Sequence, residues 1–287
     1  MGKKFGDRKD GTKLKKISSM HFVMPLIFPN RCDNEAFISQ RIDLTNLMAY
    51  LEKKNADNPP YKYNLFQVMI ATMLKTITLR PKMNRFITNK TMYQRNEVSA
   101  AFTIKKEFAD NGAEALAFIH SKDTDTLDTI HDEIYRQISF CRSDKVDSAT
   151  GSMNTIQAIP GFLVKIVGAG ARFLDRHGWM PKSVADGDPY YSSVVLSNLG
   201  SIKLDAGYHH LSNWGTTSVF CTIGEMKKRP FFDDEGNMTM RMSVDLGLTI
   251  DERLADGYYY SRTIALMKKL LENPELLEKP LKEEVEF

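Results

Sequence analysis

The chain has 287 residues, 42% of them hydrophobic and 26% charged, with a formal net charge of +3. That length can bury a sizeable core in one large domain, the balance of apolar and charged residues excludes a disordered or fibrous chain, and so small a net charge makes no case for a nucleic-acid partner. Cys32, Cys141 and Cys221 stand far apart with no CxxC pair, which suits a reducing compartment. No charged and apolar leader opens the sequence, so a cytoplasmic location is expected.

Residues 1–20 carry Lys3, Lys4, Arg8, Lys9, Lys13, Lys15 and Lys16 without apolar periodicity and read as a flexible, solvated basic segment ahead of a single domain over 21–287. From Asp43 to Asn55, Leu44, Leu47, Met48 and Leu51 recur at helical spacing, which predicts an amphipathic helix. Residues 64–79 are apolar on most faces and stop before Arg80-Pro81, as a largely buried helix does. Residues 97–108 alternate as a strand, and 125–138 place Leu127, Ile130, Ile134 and Ile138 on one helix face. Between 139 and 189 the pattern loosens. Its apolar part, 158–174, is broken by Lys165 and Arg172 and is shorter than the ~20 residues of a spanning helix, so a buried or interface helix and no transmembrane segment are expected. Three β-rich runs follow, 191–200, 216–232 and 238–250, the last two joined by the turn-forming DDEGN. Residues 257–277 form a helical pattern with Tyr260, Ile264, Met267 and Leu271 as the inner stripe. Helices and strands mix throughout, so the predicted class is α/β, one mixed sheet with packed helices.

Common catalytic patterns are missing. GAGAR, Gly168 to Arg172, lacks the third glycine of a dinucleotide loop and follows no clear strand. The six histidines are scattered apart from His209-His210, and adjacent residues of a strand point to opposite faces, so that pair cannot hold one ion and no metal is expected. Neither GxSxG nor HExxH occurs.

What remains is LTIDERLADGYYYSR, residues 248–262, together with VLSNLGSI, residues 195–202. Here the chain resembles the catalytic domain shared by chloramphenicol acetyltransferase and the acyltransferase components of 2-oxo acid dehydrogenase complexes. In that family a strand ends in His-x-x-x-Asp-Gly, often within Asp-His-Arg-x-x-Asp-Gly, and a helix follows. The run Glu252 to Gly257 matches at every defined place except the first, where Glu252 replaces histidine. RIDLTNLMAYLEKKN (41–55), RPKMNRFI (80–87), AFTIKKEF (101–108) and LLENPELL (270–277) are similar to further family segments in the same order. The likeness covers roughly 40–138 and 190–280, leaving 139–189 as an atypical insertion.

The resemblance implies a chloramphenicol-acetyltransferase-like mixed sheet, a homotrimer with sites between subunits, coenzyme A or acyl-coenzyme A as cofactor without a covalent lipoyl group, and a small-molecule acyl acceptor. In the family the histidine is general base toward a thiol, the hydroxyl at the Ser197 position hydrogen-bonds the oxyanion, and the aspartate at the Asp256 position braces the loop through an arginine near the N-terminus. An imidazole near ~6.5 takes a proton from a thiol near ~8.5 with a modest uphill step, whereas a carboxylate near ~4.3 adds roughly 3 kcal/mol, about a hundredfold in rate. Three readings stay open: an acyltransferase-family protein impaired at Glu252, an active enzyme using Glu252 or one of His209 and His210 as base, or a non-enzymatic trimeric scaffold or ligand-binding protein. The ordinary reading of His209-His210 is a surface or packed pair. Only about forty residues precede the first helical pattern, so no lipoyl or subunit-binding domain is expected ahead of it and a stand-alone protein is the expectation.

Overall fold

A computed structural model describes residues 6–105, 114–142 and 160–287. Two sheets order the chain. The smaller joins β1 (Gly11–Lys13), β4 (Thr91–Arg95) and β3 (Arg85–Thr88). The larger runs β2 (Glu35–Asp43), β10 (Met238–Asp251), β8 (Val219–Ile223), β7 (Val194–Asn198), β5 (Val98–Lys105) and β6 (Glu114–Ser121), with β9 (Lys227–Phe232) paired to the first part of β10. Strands β5, β7 and β8 are parallel neighbours and the other pairs are antiparallel, so the sheet is mixed as expected. The predicted run 216–232 is two strands, because the chain leaves the sheet between Ile223 and Lys227.

On one face lie α2 (Thr45–Lys54), α3 (Leu65–Leu79), α4 (Leu127–Arg142) and the helix Gly257–Glu272, numbered α7. The apolar all-round pattern of α3 is satisfied by burial on nearly every side: Val68, Ile70, Leu74 and Ile77 are inaccessible. Asn64 caps it, accepting from the backbone of Phe66 and Gln67, while the Gln67 side chain accepts from Asn64 N. Lys75 is buried within α3, donating its ammonium to the carbonyls of Lys279 and Pro280, and burial lowers its pKa. That contact fastens the C-terminal segment to the core.

Of the two readings of the apolar segment, a buried or an interface helix, burial within the chain does not hold: α5 (Gly161–His177) lies on the surface with Phe162, Ile166 and Phe173 exposed. The short α6 (Lys182–Ala185) follows it, and residues 143–159 lie outside the described residues. The basic N-terminal segment, expected to be solvated, contributes β1, and Arg8 is buried with its guanidinium on Asp10 and on the carbonyls of Asp175 and Arg176. A further helix, α1 (Ser19–Ile27), and β1, β2, β3, β4 and β6 were not read from sequence.

Opposite the helices, residues 204–215 cross the sheet. Gly247 lies directly under the Gly207 carbonyl, so a Cβ there would overlap it and the Thr222 hydroxyl, which donates to the same carbonyl. Gly247→Ala is therefore expected to cost about 2 kcal/mol through overpacking. Chemical denaturation checks this, with the solvent-exposed Gly236→Asn as comparator, expected to change stability by less than about 0.5 kcal/mol.

Candidate active site

The polar junction at the end of β10 is a buried ion cluster. Asp251 continues the strand on the face opposite Ile250, pairs with Glu35 of β2, and is inaccessible to solvent. Its Oδ1 accepts from Arg253 N at 3.2 Å and Arg253 Nε at 2.8 Å, and its Oδ2 accepts from an Arg253 terminal nitrogen at 2.6 Å. The other Arg253 terminal nitrogen donates to the Phe28 carbonyl, 2.7 Å away, at the end of α1. Arg31 completes the group, its Nε 3.9 Å from Asp251 Oδ2 and its terminal nitrogens on the carbonyls of Ser212, Ile87 and Gly215. Burial lowers the Arg31 pKa, opposed by the nearby Asp251 carboxylate. Tyr260 of α7 closes the cluster by donating its hydroxyl to the Asp251 carbonyl, and burial raises its pKa.

Glu252 sits between these two buried residues and is itself exposed. Its backbone N–H is held by the Asn34 carbonyl, and among the described residues its carboxylate has no ion-pair partner. Arg253, next in sequence, is fully engaged below and does not neutralise it. The Glu252 side chain edges an open cavity of about 520 Å³ floored by Ile38, Ile250, Ala255, Tyr260 and Ile264. An apolar trough with one carboxylate at its rim accommodates a slender, largely apolar arm and offers it one proton acceptor.

Asp256 begins α7. Its Oδ1 accepts from Tyr259 N at 2.8 Å, and that backbone bond at a helix N-terminus is the first cause that lowers its pKa against burial. Its cationic neighbour is Lys82 at 3.9 Å, both side chains being partly exposed. Among the described residues no arginine pairs with Asp256; Arg31, toward the N-terminus, stands beside Asp251. Neither Arg31 nor the buried role of Asp251 was read from sequence: charges at a strand end read as solvated, and Arg31 lies more than two hundred residues away.

Ser197 is half-buried on β7, opposite Thr222 of β8, which is in turn opposite Gly247 of β10. Glu252 lies five residues beyond Gly247, so two strand spacings and that run of chain separate the two side chains by roughly 15–20 Å. One chain does not bring them together. His209 stacks on Phe220 at 4.1 Å, on the sheet face opposite Ile250, with its Nδ1 on the His210 carbonyl. That face is not the one that floors the Glu252 trough. Among the described residues no group of three or more metal-ligating side chains converges.

The fold defines a class: a mixed α/β fold of the chloramphenicol-acetyltransferase type, in which Glu252 heads the turn Glu-Arg-Leu-Ala-Asp-Gly. Residues 185–278 match the model of the 2-oxoacid dehydrogenases acyltransferase (catalytic domain) family. The structure is similar to a probable dihydrolipoamide acetyltransferase from Listeria monocytogenes, at a TM-score of 0.60 and 16% identity, covering 92% of this chain and 95% of that one. It is similar to the Azotobacter vinelandii dihydrolipoamide acetyltransferase, in whose catalytic mechanism a serine, a histidine and an asparagine were investigated, at 0.59, 14% identity, and 92% and 94% coverage. For chloramphenicol acetyltransferase the values are 0.51, 16%, and 91% and 99%. A comparison with curated proteins matches none.

The cluster and the rim residue separate in a stability test. Asp251→Asn leaves two buried guanidiniums without a carboxylate and is expected to cost about 3–5 kcal/mol, whereas Glu252→Gln changes stability by less than about 0.5 kcal/mol. Urea unfolding of both variants checks this.

Proposed function

We propose that this chain is a member of the coenzyme A-dependent acyltransferases, assembled as a homotrimer in the cytoplasm, whose transfer to a small-molecule acceptor is impaired because Glu252 stands where the family places its histidine. The observation that carries this reading is the exposed, unpaired Glu252 carboxylate at the rim of an apolar trough large enough for a pantetheine arm. Ser197 is too distant from it within one chain to serve the same reacting carbonyl, so a complete site takes Glu252 from one subunit and Ser197 from the next. Exposed Phe232, Met238 and Met240 on the β9–β10 hairpin, and Phe37 with Tyr208 on the neighbouring face, supply apolar surface for such contacts.

A carboxylate lowers the driving force for thiol deprotonation by roughly 3 kcal/mol relative to imidazole, and it repels the thiolate that an imidazolium attracts. Asp256 orders the first turn of α7 and so fixes the loop that presents residue 252. No covalent lipoyl group enters this scheme; the acyl group arrives on a free thioester.

Two measurements test the reading. Light scattering is expected to give three times the 32.7 kDa of one chain, and a clean monomer removes the inter-subunit site. Thiol release from acetyl-coenzyme A, with amine, alcohol and thiol acceptors and beside calorimetry for coenzyme A, is expected to show binding with slow turnover. Glu252→His should raise that turnover about a hundredfold. Wild-type turnover that survives Glu252→Gln and is not raised by Glu252→His places the base elsewhere, and absence of coenzyme A binding favours a scaffold.

A further inference from the structure

The surface bearing α1 and α5 is apolar and cationic. Residues 11–32 contain the exposed Lys13, Lys15 and Lys16 beside the buried Arg31, and residues 160–188 contain Lys165, Arg172, Arg176 and Lys182 against Asp175, Asp186 and Asp188, with Lys182 3.9 Å from Asp186. On α5 itself Lys165, Arg172 and Arg176 stand against one acid, Asp175. Asp175 does not weaken that excess at the surface, since it is buried and accepts from the Tyr191 hydroxyl and Gly215 N.

Helix α5 faces the wrong way for a water-facing helix. Its inward side is Val164, Ala171 and Asp175, while Phe162, Ile166 and Phe173, at 72%, 66% and 52% exposure, make the outward stripe, with Lys165, Arg172 and Arg176 along its flank. Trp179 is exposed just beyond its end. Helix α1 likewise turns Met20, Phe22, Leu26 and Ile27 outward and buries only Pro25. A cavity of about 400 Å³ opens beside α5, walled by Pro29, Asn30 and Arg31 after α1, by Arg172, Asp175 and Arg176 of α5, and by Asn213 and Trp214. Among the described residues neither Arg172 nor Arg176 has a carboxylate partner.

An outward apolar stripe bordered by lysine and arginine is the geometry of a helix lying in a membrane interface, and two unpaired guanidiniums in a polar cavity suit a phosphate. No helix of the described residues is long and apolar enough to cross a bilayer, so a surface attachment is the mode that fits. We propose that the α1–α5 face docks on the surface of an anionic bilayer, with the Arg172–Arg176 cavity taking a lipid phosphate. A second copy of the chain as occupant is decided by the test, since a ring contact in a trimer would set this face against a different one.

The test is co-sedimentation of the full chain with vesicles of phosphatidylcholine alone and of phosphatidylcholine with phosphatidylglycerol, in low and in high salt. Binding is expected only to the anionic vesicles and to weaken with salt. The double variant Arg172→Glu with Arg176→Glu should lower partitioning at least about tenfold, as should Ile166→Asp. All three positions are exposed, and circular dichroism confirms that the variants fold. The proposal is overturned if the wild type leaves both vesicle types unbound, if it binds both equally, or if the arginine variant partitions as the wild type does. An Ile166→Asp variant that dissociates the assembly in light scattering without changing vesicle partitioning assigns the face to a copy-to-copy contact and overturns it as well.

Discussion

Two guanidiniums share one carboxylate, out of water, where β10 ends. Arg253 holds the end of α1 through the Phe28 carbonyl, while Arg31 holds the segment 212–215 and the end of β3 through the carbonyls of Ser212, Gly215 and Ile87. Asp251 joins the two. Desolvating three charges is tolerable only because nearly every hydrogen-bonding direction is used, and the geometry of five chain segments is fixed as a result. One consequence concerns the residue in between. With Asp251 and Arg253 both drawn inward, the side chain at 252 has only the outward direction left, so the cluster presents whatever stands there to the trough.

Presentation and chemistry are therefore separable at this turn. The cluster positions residue 252 whether it is an imidazole or a carboxylate, but only the imidazole lies within about two pK units of a thiol and becomes a cation on accepting its proton.

The sequence was legible where periodicity and burial agree. The all-round apolar run of α3 and the stripe of α7 needed no tertiary information, and Tyr260, Met267 and Leu271 are indeed buried. β2 escaped because only one of its faces is covered, so that Phe37, Ser39 and Arg41 point to solvent and blur the pattern. α1 was hidden by Pro25 and by an apolar side that the chain itself does not cover. The Asp-Glu-Arg-x-x-Asp-Gly turn was legible as a motif. That its first and third residues are core and its second is surface was not, because the decisive partner, Arg31, is brought in by the fold.

Helix α5 poses the converse problem, an apolar pattern that folding does not consume. What anchors it is polar: Asp175 on Tyr191 and Gly215, with Arg8 on the carbonyls of its last turn. Full burial of a Phe or Ile side chain stabilises by about 1.5–3 kcal/mol, so Phe162, Ile166 and Phe173, left outside, contribute little of that to the fold. Arg31 belongs both to the wall of the cavity beside this helix and to the cluster that presents Glu252, so one buried side chain joins the surroundings of α5 to the turn at the end of β10.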